Sequence, residues 1–310
     1  MRPEVLSRQP RTNSCRALVQ CSRVDSIPSY ATVTVLFIFR KDAMPSPAPD
    51  APDQDPAPDG TTKKSLWRRK WMIALLSVSA LLVAALATAL IWASSSYPAN
   101  AERLEKVQSD AHLAYEDLGD AIRIKPSDDP TGQGLIFFPG AKVEPQAYAS
   151  LLAEAADHGV TVIIVKPPLN IALLQLGNLD SFMALAPEVD TWAVGGHSMG
   201  GVKACQFADD PQVSSLLLFA SYCASTEVSD HPGLDVLALY GDRDEVINRQ
   251  EVQNFELQFS ENASSATLNG VTHAQFGDYG LQPGDGTALV SISEAHQLIS
   301  GRFLPFLLDR

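Results

Sequence analysis

From about residue 108 onward, short apolar runs alternate with stretches whose apolar positions recur every three to four residues. The short runs, bounded by turn-forming residues, read as strands and the longer periodic stretches as helices. Their alternation predicts β-α units around a parallel sheet. Strands are predicted over 121–124, 135–138, 160–165, 191–195, 214–220, 235–240 and 266–269, and helices over 145–158, 170–186, 199–208, 250–259 and 291–308. The stretch 145–158 shows the logic: Tyr148, Leu151, Leu152, Ala155 and Ala156 share one face, Pro145 sits in the first turn and Gly159 ends it. The fold class that follows is α/β, a mostly parallel, doubly wound sheet over residues 121–310. No internal repeat is visible, and residues 94–120 read as a linker.

Upstream the pattern changes. Residues 71–93, WMIALLSVSALLVAALATALIWA, are 23 positions without a charge. At about 1.5 Å per residue they span a hydrocarbon layer of roughly 30 Å, with Trp71 and Trp92 where interfacial aromatics belong. One transmembrane helix is the expectation. Lys63, Lys64, Arg68, Arg69 and Lys70 precede it and no charge lies between Ser94 and Ala101, so the N-terminus is expected in the cytoplasm and the following body outside the cell membrane. A cleaved signal peptide is the competing reading, because Ala99-Asn100-Ala101 has the form of a cleavage site. Its apolar core would exceed the usual run of about 7 to 15 residues, and a retained signal anchor is the reading taken. Residues 44–70 form a Pro/Asp/Ala-rich tail with a basic flank, expected to be disordered in the cytoplasm. Residues 1–43 resemble nothing else in the chain and read as a leader that is not translated. Met44 would by itself open a complete insertion signal, which leaves Met1 and Met44 both open as starts.

Charge divides at the same place. Residues 1–100 carry 12 Lys+Arg against 7 Asp+Glu, and residues 101–310 carry 11 against 29. The acidic body has no basic stripe, which excludes a phosphate-backbone partner; no nucleic acid is expected. Of the four cysteines, Cys15 and Cys21 fall in the leader without metal-site spacing. Cys205 and Cys223 lie in the body, on the helix after Ser198 and just past the next strand, so they are candidates for a disulfide, with two buried free thiols as the alternative.

The chemistry centres on AVGGHSMGGVKA, residues 193–204, which contains Gly196-x-Ser198-x-Gly200. That motif is weak alone, but an apolar strand enters it and a helix leaves. A serine on such a turn has strained backbone angles, and the flanking glycines let strand and helix approach closely. The N–H of Met199 then faces a developing oxyanion. A serine hydroxyl needs a base, and the base needs an orienting acid, in the chain order Ser, Asp or Glu, His. Of the histidines after Ser198, His296 lies within the closing helix and His231 precedes a strand, whereas His273 follows one on an irregular loop. Asp242 and Asp244 both follow the strand at 235–240; Asp244 is taken as the acid and Asp242 as a turn residue. His197 is read as shaping the turn, and Lys142 and Glu144 as exposed loop charges. Gln275, Phe276, Asp278 and Tyr279 either line a pocket or pack a Gly-rich loop.

The segments FFPGAKVEP, GGHSMGG, LYGDRDEV and GVTHAQFGDYG together resemble the α/β-hydrolase superfamily, in particular a compact bacterial branch similar to dienelactone hydrolases and small esterases. The resemblance covers about residues 121–310. It implies a second oxyanion donor in the loop after the first main strand, here the backbone N–H of Ala141, paired with Met199. Two departures stand out: Pro-Gly replaces the usual His-Gly opening, and Ser replaces the Cys of dienelactone hydrolases, which weighs against a dienelactone substrate. Only about 14 residues, 221–234, separate the strand after the serine helix from the acid strand, too few for a large lid.

The function expected is a membrane-anchored serine hydrolase cleaving an ester-type acyl bond through Ser198, His273 and Asp244, acting on a small-molecule or envelope ester. Acyl transfer to an envelope acceptor and a non-catalytic, membrane-tethered binding module are the alternatives. No metal spacing, dinucleotide fingerprint or phosphate loop occurs, so no cofactor or metal is expected. The lipid bilayer, through residues 71–93, is the expected partner.

Overall fold

The computed structural model describes residues 62–309, apart from 225–227, 229, 230 and 232. The leader at 1–43 and the tail at 44–61 lie outside the described residues. Helix α1 (Thr62–Ser94) is continuous through the basic flank that the sequence placed in the tail. Within it, Leu66–Trp92 is long and apolar enough to cross a membrane, and none of that stretch is buried inside the protein. An apolar surface of this size left open to water would be costly on every side, which is the condition a bilayer removes.

The body holds one eight-stranded sheet in the order β1-β2-β4-β3-β5-β6-β7-β8. Its strands are β1 (Leu113–Asp117), β2 (Ala121–Pro126), β3 (Gln133–Phe138), β4 (Thr161–Val165), β5 (Thr191–His197), β6 (Val213–Phe219), β7 (Asp235–Gly241) and β8 (Ala263–Leu268). Strands β1 and β2 are antiparallel to each other and β2 to β4, while β4, β3, β5, β6, β7 and β8 run parallel. Each central strand is apolar on both faces, and the two-residue period divides it between two cores. Leu135, Phe137, Leu217, Phe219 and Leu239 enter one core, while Ile136, Phe138, Leu216, Leu218 and Tyr240 enter the other. Helices α2 (Ala101–Gln108), α3 (Ala149–Asp157) and α7 (Ile292–Leu308) cover the first face; α4 (Asp180–Met183), α5 (Met199–Cys205) and α6 (Arg249–Glu256) supply the second. The closing helix α7 begins with a reciprocal cap, in which the Ser291 side chain accepts from the Glu294 N–H and the Glu294 carboxylate accepts from the Ser291 N–H.

Two sequence expectations need correction. Residues 94–120 are not a linker: α2 and β1 lie there, and both belong to the body. Asn100 caps α2, its carbonyl side chain accepting from the Arg103 N–H at 3.1 Å, and its own N–H donates to the Asp278 carbonyl at 2.8 Å. Strand β1 was hidden because only its first residue, Leu113, is buried, so an edge strand with one wet face leaves little apolar signal. The helix expected over 170–186 is also broken. Residues 168–170 and 172–174 form two 3₁₀ turns, and only Asp180–Met183 is α-helical. Leu169 and Asn170 hold left-handed backbone angles, φ 56° and 54°, which cost roughly 1–2 kcal/mol each for a residue with a Cβ. Leu169, Leu173, Leu174 and Leu176 do not enter the core but stay exposed.

Candidate active site

Strand β5 ends at His197 and α5 begins at Met199, so Ser198 alone makes the turn, with φ 52° and ψ −122°. A non-glycine residue held there stores about 1–3 kcal/mol of strain. The surroundings enforce it: the Ser198 N–H donates to the Phe219 carbonyl at 2.9 Å, and its carbonyl accepts from the Ser221 hydroxyl at 2.7 Å. Both flanking glycines are required by contact. A Cβ at Gly196 would lie 2.3 Å from the Gly200 carbonyl carbon, and one at Gly200 would lie 2.0 Å from the Phe138 carbonyl oxygen. The second distance also shows that the end of β3, and with it the loop carrying Ala141, abuts the serine turn.

Asp244 stands in the loop after β7, buried, with a two-sided set of partners. Its Oδ1 accepts from the N–H groups of Val246 and Ile247 at 2.9 Å each, and its Oδ2 meets His273 Nδ1 at 2.8 Å. Asp242 takes another course: its Oδ1 accepts from the Gly270 N–H at 2.6 Å and ties the acid turn to the loop after β8. The geometry thus separates the two aspartates, one on the imidazole and one on the backbone. Ser198, Met199, Val202, Ser221, Tyr222 and His273 are among the residues lining one cavity of about 190 Å³. Ala141 is half-buried on the neighbouring loop and is not part of that cavity wall.

Several groups without a signal in the sequence hold these residues. The Asp285 carboxylate accepts from the N–H groups of His273 at 3.1 Å and Ala274 at 2.8 Å, fixing the turn on which the imidazole stands. Arg249 donates to the carbonyls of Gly241 at 2.6 Å and Asp244 at 3.0 Å, closing the acid loop on itself. Neither lies in a pattern that periodicity or motif spacing could single out, because each acts on main-chain groups that only the folding of its own irregular loop brings within reach.

His197 is part of a buried chain. The Gly140 N–H donates to the Tyr148 phenol at 2.9 Å, so the phenol hydrogen is left for His197 Nδ1 at 2.8 Å. Burial first, then the His273 ring, push His197 well below the usual imidazole range against a weaker opposing pull from the His273 main chain; His197 is therefore neutral. Its ring centroid lies 4.5 Å from that of His273. Through Tyr148 and His197, the loop after β3 and the His273 loop touch the same scaffold.

The other sequence candidates fall as follows. Cys205 and Cys223 are joined in a disulfide that links α5 to the segment after β6. Glu144 is half-buried, accepting from the Ser96 hydroxyl at 3.1 Å and the Ala99 N–H at 3.2 Å, and Lys142 Nζ donates to the Ser95 hydroxyl at 2.8 Å. Both charges thus fasten the segment after α1 rather than lying free on a loop. Gln275, Phe276, Asp278 and Tyr279 are all buried in the loop after His273, and Gln275 and Asp278 also help line a cavity of about 630 Å³ beside it. Among the described residues no cluster of His, Cys, Asp and Glu is arranged to hold a metal ion.

Residues 134–297 match the model of the Alpha/beta hydrolase family. Among solved structures, similar ones include a "predicted CIB-like hydrolase" from Thermoplasma acidophilum, at 16% identity, TM-score 0.46, covering 63% of this chain and 99% of the other. Est1E from Butyrivibrio proteoclasticus shares 13% identity at TM-score 0.44, over 64% of this chain and 98% of the other. A candidate dienelactone hydrolase from Klebsiella pneumoniae shares 15% at TM-score 0.45, over 62% and 97%. No curated protein sequence matches the chain.

Proposed function

Because the chain belongs to the alpha/beta hydrolase family and its body carries that fold, we propose that it is a serine hydrolase of ester-type acyl bonds, anchored by α1 with its body on the outer face of the cell membrane. The observation that carries the reading is the buried Asp244–His273 pair at 2.8 Å, whose imidazole shares a cavity with a serine on a strained strand-to-helix turn. In this reading Ser198 Oγ attacks the acyl carbonyl as its proton passes to His273 Nε2. Asp244 keeps Nδ1 protonated and stabilises the imidazolium. The oxyanion receives the N–H groups of Met199 and Ala141. The imidazolium then returns its proton to the leaving alkoxide, the C–O bond breaks, and water repeats the sequence to free the acid and Ser198.

Topology follows from the five basic residues that precede the apolar stretch, Lys63, Lys64, Arg68, Arg69 and Lys70. The disulfide between Cys205 and Cys223 agrees with an oxidising compartment for the body. A fluorophosphonate probe tests the chemistry. The full chain in detergent should be labelled, and Ser198→Ala should abolish labelling without loss of folded protein. Labelling that survives Ser198→Ala would overturn the assignment of the nucleophile, and a folded chain that resists every such probe would overturn the hydrolase reading.

A further inference from the structure

The broken segment after β4 leaves four leucines exposed within eight residues: Leu169, Leu173, Leu174 and Leu176, the last of them 92% exposed. Its position is set from three sides. The turn at 168–170 packs against α1, the turn at 172–174 packs against α5, and the Asn170 carbonyl accepts from the Lys142 N–H at 2.6 Å. Lys142 in turn lies with its Nζ 4.3 Å from the centre of the Trp92 ring, at the last turn of the apolar stretch. An aromatic and a lysine at the end of such a helix mark the level of the lipid headgroups. The leucines are therefore not scattered surface apolar residues. They lie on a segment that starts beside the apolar helix, near its end, and its left-handed residues hold it there while the four leucines stay 41–92% exposed.

We propose that Leu169, Leu173, Leu174 and Leu176 form a ledge that seats in the phospholipid leaflet from which α1 emerges, continuing the lipid contact of α1 on the body. The segment that bears the ledge touches both the loop of Ala141 and the helix that follows Ser198, so seating it holds the mouth of the Ser198 cavity at the bilayer surface. This rests on α1 crossing a bilayer and is independent of the chemistry at Ser198.

The test uses the full chain in nanodiscs of zwitterionic and anionic phospholipid, in a Cys15→Ser, Cys21→Ser background. An environment-sensitive fluorophore is attached in turn at Leu176→Cys, Leu174→Cys, Leu82→Cys within α1, and Leu257→Cys on the exposed end of the segment after α6. Leu176 and Leu257 are 92% and 86% exposed, so those labels disturb no packing. The expected result is that labels at 174 and 176 are quenched several-fold more by lipid spin-labelled near the headgroup than the label at 257, and several-fold less by aqueous iodide. The label at 82 should respond to lipid spin-labelled near the chain end. Labels at 174 and 176 that behave like 257 while 82 is quenched by lipid would overturn the ledge. Absence of lipid quenching at 82 would overturn the spanning helix, and the ledge with it.

Discussion

Replacing Gly200 with alanine would place a methyl carbon 2.0 Å from the Phe138 carbonyl oxygen and 2.5 Å from that of Pro139. Both are main-chain atoms, so no flexible side chain can yield, and the end of β3 must retreat from the serine turn by more than about 1 Å to restore ordinary contact. Overpacking of this kind costs about 1–3 kcal/mol, and at about 2–4 °C per kcal/mol for a body of this size Tm should fall by roughly 2–12 °C. The same retreat moves the Ala141 loop away from Ser198, and a misplacement of about 1 Å is worth on the order of 10²-fold in rate. Gly301→Ala is the internal control. It makes the same chemical change at an exposed site of α7 where the new methyl meets nothing within 4 Å, and there it should raise Tm slightly, by the roughly 1 kcal/mol difference in helix propensity. The assays are thermal melting followed by tryptophan fluorescence and the second-order rate of fluorophosphonate labelling. A Gly200→Ala chain that keeps the wild-type Tm and labels within twofold of the wild-type rate would refute the close-approach argument.

Asp244→Asn should keep the loop folded yet lower kcat by about 10⁴-fold, because an amide presents the wrong hydrogen-bonding partner to His273 Nδ1; Asp242→Asn should lower it far less, and ester turnover by the two variants checks the difference. Tyr148→Phe removes both the acceptor for the Gly140 N–H and the donor to His197 Nδ1 in a buried site, for an expected loss of about 1–3 kcal/mol in urea unfolding and slower probe labelling. His296 is held down to about 4 from an ordinary 6.5, chiefly by burial, with the Gly277 carbonyl opposing and Arg103 adding a smaller lowering. The unfolded chain therefore takes up this proton first as pH falls, so the contribution is intact above about pH 6.5 and is lost on the way to about pH 4. His197, also depressed by burial, acts in the same direction. For His296 alone, roughly 2 kcal/mol should disappear between about pH 7 and pH 5, and the urea unfolding free energies of wild type and His296→Gln should change by amounts that differ accordingly over that interval.

The order of elements was legible in the sequence because it rests on local periodicity. Runs such as 135–138 and 160–165 are apolar at every position or nearly so and too short for helices, which marks strands buried on both faces, and the observed β3 and β4 are such strands. The turn at Ser198 was legible for the same reason: a strand, a glycine on either side of one residue, and a helix are all written within twelve positions. The uncharged stretch before the body was legible from length and composition alone. The edge strand β1 and the broken segment 168–183 were not, since a strand with one wet face and a leucine-rich segment beside an apolar helix both depart from the rule that apolar positions point to the core.

Tertiary structure alone decided which groups meet. Asp242 and Asp244 both follow β7 and the sequence favoured Asp244, but only the fold shows that Asp244 meets His273 Nδ1, while Asp242 is taken up by the Gly270 N–H. Asp285, Arg249 and Tyr148 came to the site without any motif, each through a hydrogen bond to or from a main-chain group 5 to 12 residues away. The physical reason is that periodicity records which face of an element is dry, whereas the pairing of loops is set by parallel crossovers that bring the ends of β3, β5, β7 and β8 to one edge of the sheet.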